Sequence, residues 1–100
     1  MKDRSIVLAQ LRTDEGVRYK LYKDSVGKFT IGVGRNLDDK GLRPAEVSLL
    51  LENDINDAEL DARMLFHNFD ELSAVRQAVL VNMAFNLGRD RLSKFVKFLL

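Results

Sequence analysis

The 100-residue chain has no cysteine, no tryptophan, a single proline and a single histidine. Without cysteine neither disulfides nor thiolate metal sites can form, so stability has to come from packing. One histidine, His67, argues against a protein-ligated zinc site, and neither metal nor organic cofactor is expected. No run approaches the ~18 apolar residues of a membrane span, and Met1-Lys2-Asp3-Arg4-Ser5 does not lead into the apolar stretch of a secretory signal. A chain made in the cytoplasm, with no membrane span, is the expectation. What is present is 46% hydrophobic and 31% charged, the composition of one small soluble domain with one core.

Neither sign of charge is in marked excess, since the net value is only +1, but the distribution is uneven. Residues 1–35 carry eight Lys or Arg against four Asp or Glu, residues 36–72 three against ten, and residues 73–100 five against one. The positive residues are scattered among apolar positions rather than gathered in a stripe with aromatic or polar readers, so nucleic acid is not an expected partner.

The first helix is announced by Ile6, Val7, Leu8 and Leu11, with Asp3 or Ser5 as cap and Gly16 as terminator, which leaves Glu15 in the last turn. Tyr19 and Leu21 alternate with Arg18, Lys20 and Tyr22, and Phe29, Ile31 and Val33 alternate with Lys28, Thr30 and Gly32. These are two strands of a hairpin, joined by the turn Asp24-Ser25-Val26-Gly27. The alternation predicts Thr30 on the face opposite Phe29 and Ile31, looking outward across a groove, with Gly32 and Gly34 leaving that face open to something bulky.

Arg35-Asn36-Leu37-Asp38-Asp39-Lys40-Gly41 reads as a loop, and Pro44 suits the first position of a second helix. Val47, Leu50, Leu51, Ile55, Ala58, Ala62 and Leu65 form its apolar stripe, with Asp54 inside it. A carboxylate on a buried face needs a cationic partner, and Arg35 is the candidate. Ser73 caps a third helix whose residues Val75 to Leu87 leave almost no polar face, which places it in the middle of a bundle. Asn82 and Asn86, four residues apart on it, each need a hydrogen-bond partner. Ser93 reads as the cap of a further helix, in which Phe95, Phe98 and Leu99 form a core stripe and the chain stops in a hydrophobic run.

Glu15, Asp24 and Thr30 carry the chemistry. Two carboxylates on different rigid elements suit glycosidic bond cleavage, where one donates a proton to the leaving oxygen while the other acts on the opposite side of the sugar. As a surface acid alone, Glu15 would be mildly unfavourable at a helix C-terminus, by ~0.3 to 1 kcal/mol. Asp24 alone would pass as a turn former and Thr30 as a strand residue. It is their joint spacing that points to a site.

The stretch from Glu15 to Gly34, with Val81-Asn82-Met83-Ala84-Phe85-Asn86-Leu87-Gly88, resembles the phage-type lysozyme (endolysin) family, which hydrolyses bacterial peptidoglycan. The resemblance implies an α+β fold: an N-terminal helix, a small β lobe over residues 17–43, and a helical part over residues 1–16 and 44–100, forming one lysozyme-like domain. It implies Glu15 as catalytic acid, Asp24 assisting the attack, Thr30 positioning the water, and Gly32 and Asn86 contacting substrate. It also implies an Asp54 ion pair at the position of Arg35, where the family commonly has histidine; arginine would keep that pair charged over a wider pH range. The partner implied is bacterial peptidoglycan, cleaved between N-acetylmuramic acid and N-acetylglucosamine by a protein made in a host bacterial cytoplasm. Carboxyls on a helix end and a turn favour an inverting geometry, which needs a separation of ~6.5 to 9.5 Å.

Family members continue for several more helices. The expectation is therefore a domain truncated at its C-terminus, whose uncovered final helix finds cover in a homo-oligomer. The alternative is a non-catalytic remnant that folds and binds wall glycan with little turnover.

Overall fold

A computed structural model describes residues 1–99, with side chains described as far as Lys97. The architecture is α+β: three helices and a three-stranded antiparallel sheet in the order β1-β2-β3. Two compact units divide the chain, one over Met1–Arg43 and one from Pro44 onward.

In the first unit, α1 (Arg4–Glu15) starts where the Asp3 carboxylate accepts hydrogen bonds from the Ser5 amide, at 2.9 Å, and the Ser5 hydroxyl, at 2.6 Å. Asp3, not Ser5, is thus the cap, and the Ser5 bonds hold its pKa below the ordinary value. The helix ends at Gly16, whose amide donates to the Arg12 carbonyl at 3.0 Å. Its apolar stripe stays open: Ile6, Leu8 and Leu11 are exposed and no α1 residue is buried.

The hairpin forms as expected from β1 (Arg18–Lys23) and β2 (Phe29–Gly32), and its pairing is irregular. Tyr22 faces Thr30 and Lys23 faces Phe29, but Arg18 faces Gly32, so β1 carries extra residues in a bulge. That shift breaks the simple alternation: Tyr19 is 89% exposed and Leu21 is exposed, while Tyr22 is half-buried. The predicted loop after β2 contains a third strand, β3 (Arg35–Asn36), which pairs Asn36 with Thr30 and Arg35 with Ile31. It is tied down on both sides. The Leu37 amide donates to the Phe29 carbonyl at 2.8 Å, and the Phe29 amide donates to the Asp38 carboxylate at 2.6 Å. The Asn36 side chain and Asp39 exchange two further hydrogen bonds.

In the second unit, α2 (Pro44–Leu65) starts at the proline, as its fixed φ and missing amide favour. A short 3-10 turn (Phe69–Glu71) leads to α3 (Ala74–Leu99), which opens with the Ser73 hydroxyl accepting from the Arg76 amide. The core is Ala58, Ala62, Phe69, Ala84 and Leu92, with Leu65, Phe66, Leu80, Val81, Met83 and Leu87 packed against it. Alanines on both helices let α2 and α3 approach closely, and Phe69 supplies the bulk. Arg63 lies over the Phe69 ring, 4.8 Å from its centre, and donates to Asp70 at 2.7 Å. That contact raises the guanidinium's pKa further.

Two expectations for α3 are corrected. It is not the centre of a bundle among the described residues, because Val75, Val79, Phe85 and Phe95 are exposed. Ser93 is not a cap either: the helix breaks earlier, at Gly88 (φ 76, ψ 166), and resumes directly, so Ser93 falls inside it. Phe95, expected in the core, is 40% exposed, and the side chains of Phe98 and Leu99 lie outside the described residues. No helix among the described residues is long and apolar enough to cross a membrane.

Candidate active site

Glu15, Asp24, Thr30, Gly32 and Arg35 all fall in the first unit. Glu15 is the last residue of α1, and its side chain is exposed. Its carboxyl group lies against the backbone of Gly34: a Cβ built there would stand 3.0 Å from Oε2, 3.1 Å from Cδ and 3.2 Å from Cγ of Glu15. The helix end and the turn between β2 and β3 therefore meet at the acid. The "something bulky" that the glycines leave room for includes Glu15 itself.

Asp24 heads the hairpin turn. Its Oδ1 accepts from the amides of Val26, at 3.0 Å, and Lys28, at 2.8 Å, while its own backbone pairs with Lys28 and Gly27. Both side-chain hydrogen bonds fall on Oδ1, so the carboxylate is oriented and Oδ2 takes no part in holding the turn. Lys28 adds an exposed ion pair to Asp39 at 3.3 Å.

Thr30 corrects the expectation of an outward-facing hydroxyl. It is 3% exposed, the one buried polar residue among those described, and its hydroxyl donates to the Lys28 carbonyl at 2.9 Å. Phe29, assigned to the covered face, is 42% exposed. Period-two alternation correctly separates Thr30 from Phe29, but it does not say which face is covered. Since its single proton is committed to Lys28, the Thr30 oxygen can meet a further polar group only as an acceptor.

Gly32 ends β2 half-buried, with φ +70. Arg35 opens β3, and its guanidinium donates to the Gly41 carbonyl at 3.2 Å. In the second unit, Asp54 is exposed rather than on a buried face, because only Ala58 and Ala62 of the α2 stripe are fully covered. Asp54 lines a cavity of about 270 Å³ with Asp57, Asp61, Phe85 and Gly88. No group of three or more acidic, histidine or cysteine side chains among the described residues is placed to hold a metal ion. Asn86 finds its partner on its own helix: Nδ2 donates to both the backbone and the side-chain oxygen of Asn82, each at 2.9 Å. Gly34, read from the sequence only as making space, is the residue that meets Glu15. The only sequence signal for it was the Gly-x-Gly spacing beside Thr30.

Glu15 thus ends a helix, Asp24 is held in the hairpin turn and Thr30 lies on the return strand, all within the first unit of an α+β fold. The phage lysozyme family model matches residues 12–99, and the chain belongs to that family. It is also similar to a Dictyostelium discoideum protein named "Probable T4-type lysozyme 2", 29% identical over 119 residues, which cover 89% of this chain and 69% of that protein.

Proposed function

We propose that the chain is a muramidase that hydrolyses the β-1,4 bond between N-acetylmuramic acid and N-acetylglucosamine in bacterial peptidoglycan. The observation that carries this reading is the trio Glu15, Asp24 and Thr30 within one compact unit, with Asp24 held by its turn through Oδ1 alone. Membership in the phage lysozyme family supports the substrate class.

In the proposed reaction Glu15 donates its proton to the glycosidic oxygen as the bond to the anomeric carbon breaks. Asp24 acts through Oδ2, stabilising the positive charge that develops on the sugar ring and helping to draw a proton from the incoming water. Thr30 accepts a hydrogen bond from that water. Because the hydroxyl's own proton is fixed on Lys28, the water is held with one hydrogen toward Thr30 and a lone pair left to attack. Gly32, at the end of β2, contacts the glycan in this reading.

The test is digestion of purified peptidoglycan, with new reducing ends measured and the fresh anomer identified by NMR. Hydrolysis with inversion releases the α anomer first. Retention would move Asp24 to a nucleophile's role. Walls that bind the protein but release no reducing ends would favour the non-catalytic alternative.

A further inference from the structure

We propose that Gly34 is a positioning residue for the acid: its missing side chain is the space that fixes where the Glu15 carboxyl sits. The proposal rests on the reading of Glu15 as the proton donor. Gly34 has φ +66, a backbone region that residues with a Cβ rarely adopt, so the chain reverses here at a glycine. Conformation alone does not distinguish it, since Gly41 has nearly the same φ, +65, and its nearest neighbour to an added Cβ is the Leu37 carbonyl at 3.9 Å, an ordinary contact. Gly34 differs in what it faces. All three nearest atoms to its added Cβ belong to the side chain of Glu15, at 3.0 to 3.2 Å, where something must give by a few tenths of an ångström. What gives is the end of the glutamate, not backbone. A general acid works only within hydrogen-bond reach of the oxygen it protonates, so such a displacement falls on the proton-transfer step rather than on substrate binding.

Gly34→Ala, Gly34→Asn and Gly41→Ala in the full chain test this, with kinetics on soluble peptidoglycan fragments corrected for the folded fraction. Asn tolerates positive φ better than Ala and keeps the test open if the alanine variant folds poorly. Both Gly34 variants should lower kcat by about tenfold or more with KM unchanged, since a misplacement of 1 Å can cost roughly 10²-fold. Gly41→Ala carries the same backbone strain and should lose thermal stability without losing kcat. A second readout needs no activity. Glu15→Ala removes the atoms that crowd the new Cβ, so Gly34→Ala should lower Tm less in that background than in the parent, by at least about 2 °C.

Additive Tm losses would overturn the contact, and a parental kcat in folded Gly34 variants would overturn the positioning role. A parent chain without activity, or activity that survives Glu15→Gln, would instead overturn the muramidase reading, and the role of Gly34 with it; the Tm cycle distinguishes that outcome from a missing contact.

Discussion

The Thr30 hydroxyl donates to the Lys28 carbonyl, and the same carbonyl accepts the Asp24 amide at 2.9 Å. Turn and strand are thereby locked to one oxygen. Thr30→Val, of similar shape, removes the hydroxyl but leaves Lys28 with its bond from Asp24. It should cost only about 1 kcal/mol of stability and lower turnover on the order of 10²-fold, because the attacking water loses its acceptor. Thr30→Ser should retain most of the activity. Melting curves and reducing-end assays on the two variants check both statements. Equal activity in Val and Ser would remove Thr30 from the reaction.

Asp24 has two separable jobs. Asn keeps an oxygen at Oδ1 for the Val26 and Lys28 amides but carries no charge, so Asp24→Asn should leave Tm close to the parent's and lower kcat by about 10² or more. Asp24→Ala loses the turn contacts as well, at about 1 to 3 kcal/mol. If Asn and parent turn over equally, Asp24 is a turn former and nothing else.

Acid should loosen the start of α1. The Ser5 hydrogen bonds depress the pKa of Asp3, so their contribution is present above the ordinary value of 3.8 and is lost as pH falls below it through the folded-state pKa. NMR titration of the Ser5 amide should report this step. In Asp3→Ala it should be absent, and a Ser5 shift that persists there would assign the step to another group.

Phe69 is the largest of the buried side chains in the second unit's core, at 3% exposure, and its carbonyl also accepts from Gln77 at 2.9 Å. Phe69→Ala should cost about 3 to 5 kcal/mol, and Phe69→Leu about 1.5 kcal/mol or less, by urea unfolding. A loss under about 1 kcal/mol for Phe69→Ala would show that the alanine contacts hold α2 and α3 without it.

What was legible in the sequence was local. Gly16 ends α1 directly after Glu15, Asp24 heads a turn, Pro44 starts α2 and Ser73 caps α3, because each signal acts within a few residues of itself. What was not legible depends on partners far along the chain. The bulge in β1 and the pairing of β3 are set across strands, so alternation alone does not give the register of β1, and Arg35–Asn36 reads as loop. Thr30 shows the same limit, since alternation groups residues by face without saying which face meets cover. The break at Gly88 was within reach: a glycine followed at once by Arg89 and Asp90 is a better restart signal than Ser93. Contact between Glu15 and Gly34 joins positions nineteen residues apart on two elements, and no periodicity encodes it.

The most direct measurement is clearing of bacterial cell walls by the parent chain and by Glu15→Gln, with melting curves on both. Glutamine keeps the shape against Gly34 but has no acidic proton to give. The account predicts that the parent clears walls and that Glu15→Gln does not, with the same Tm. Clearing by a folded Glu15→Gln protein at the parent's rate would contradict it.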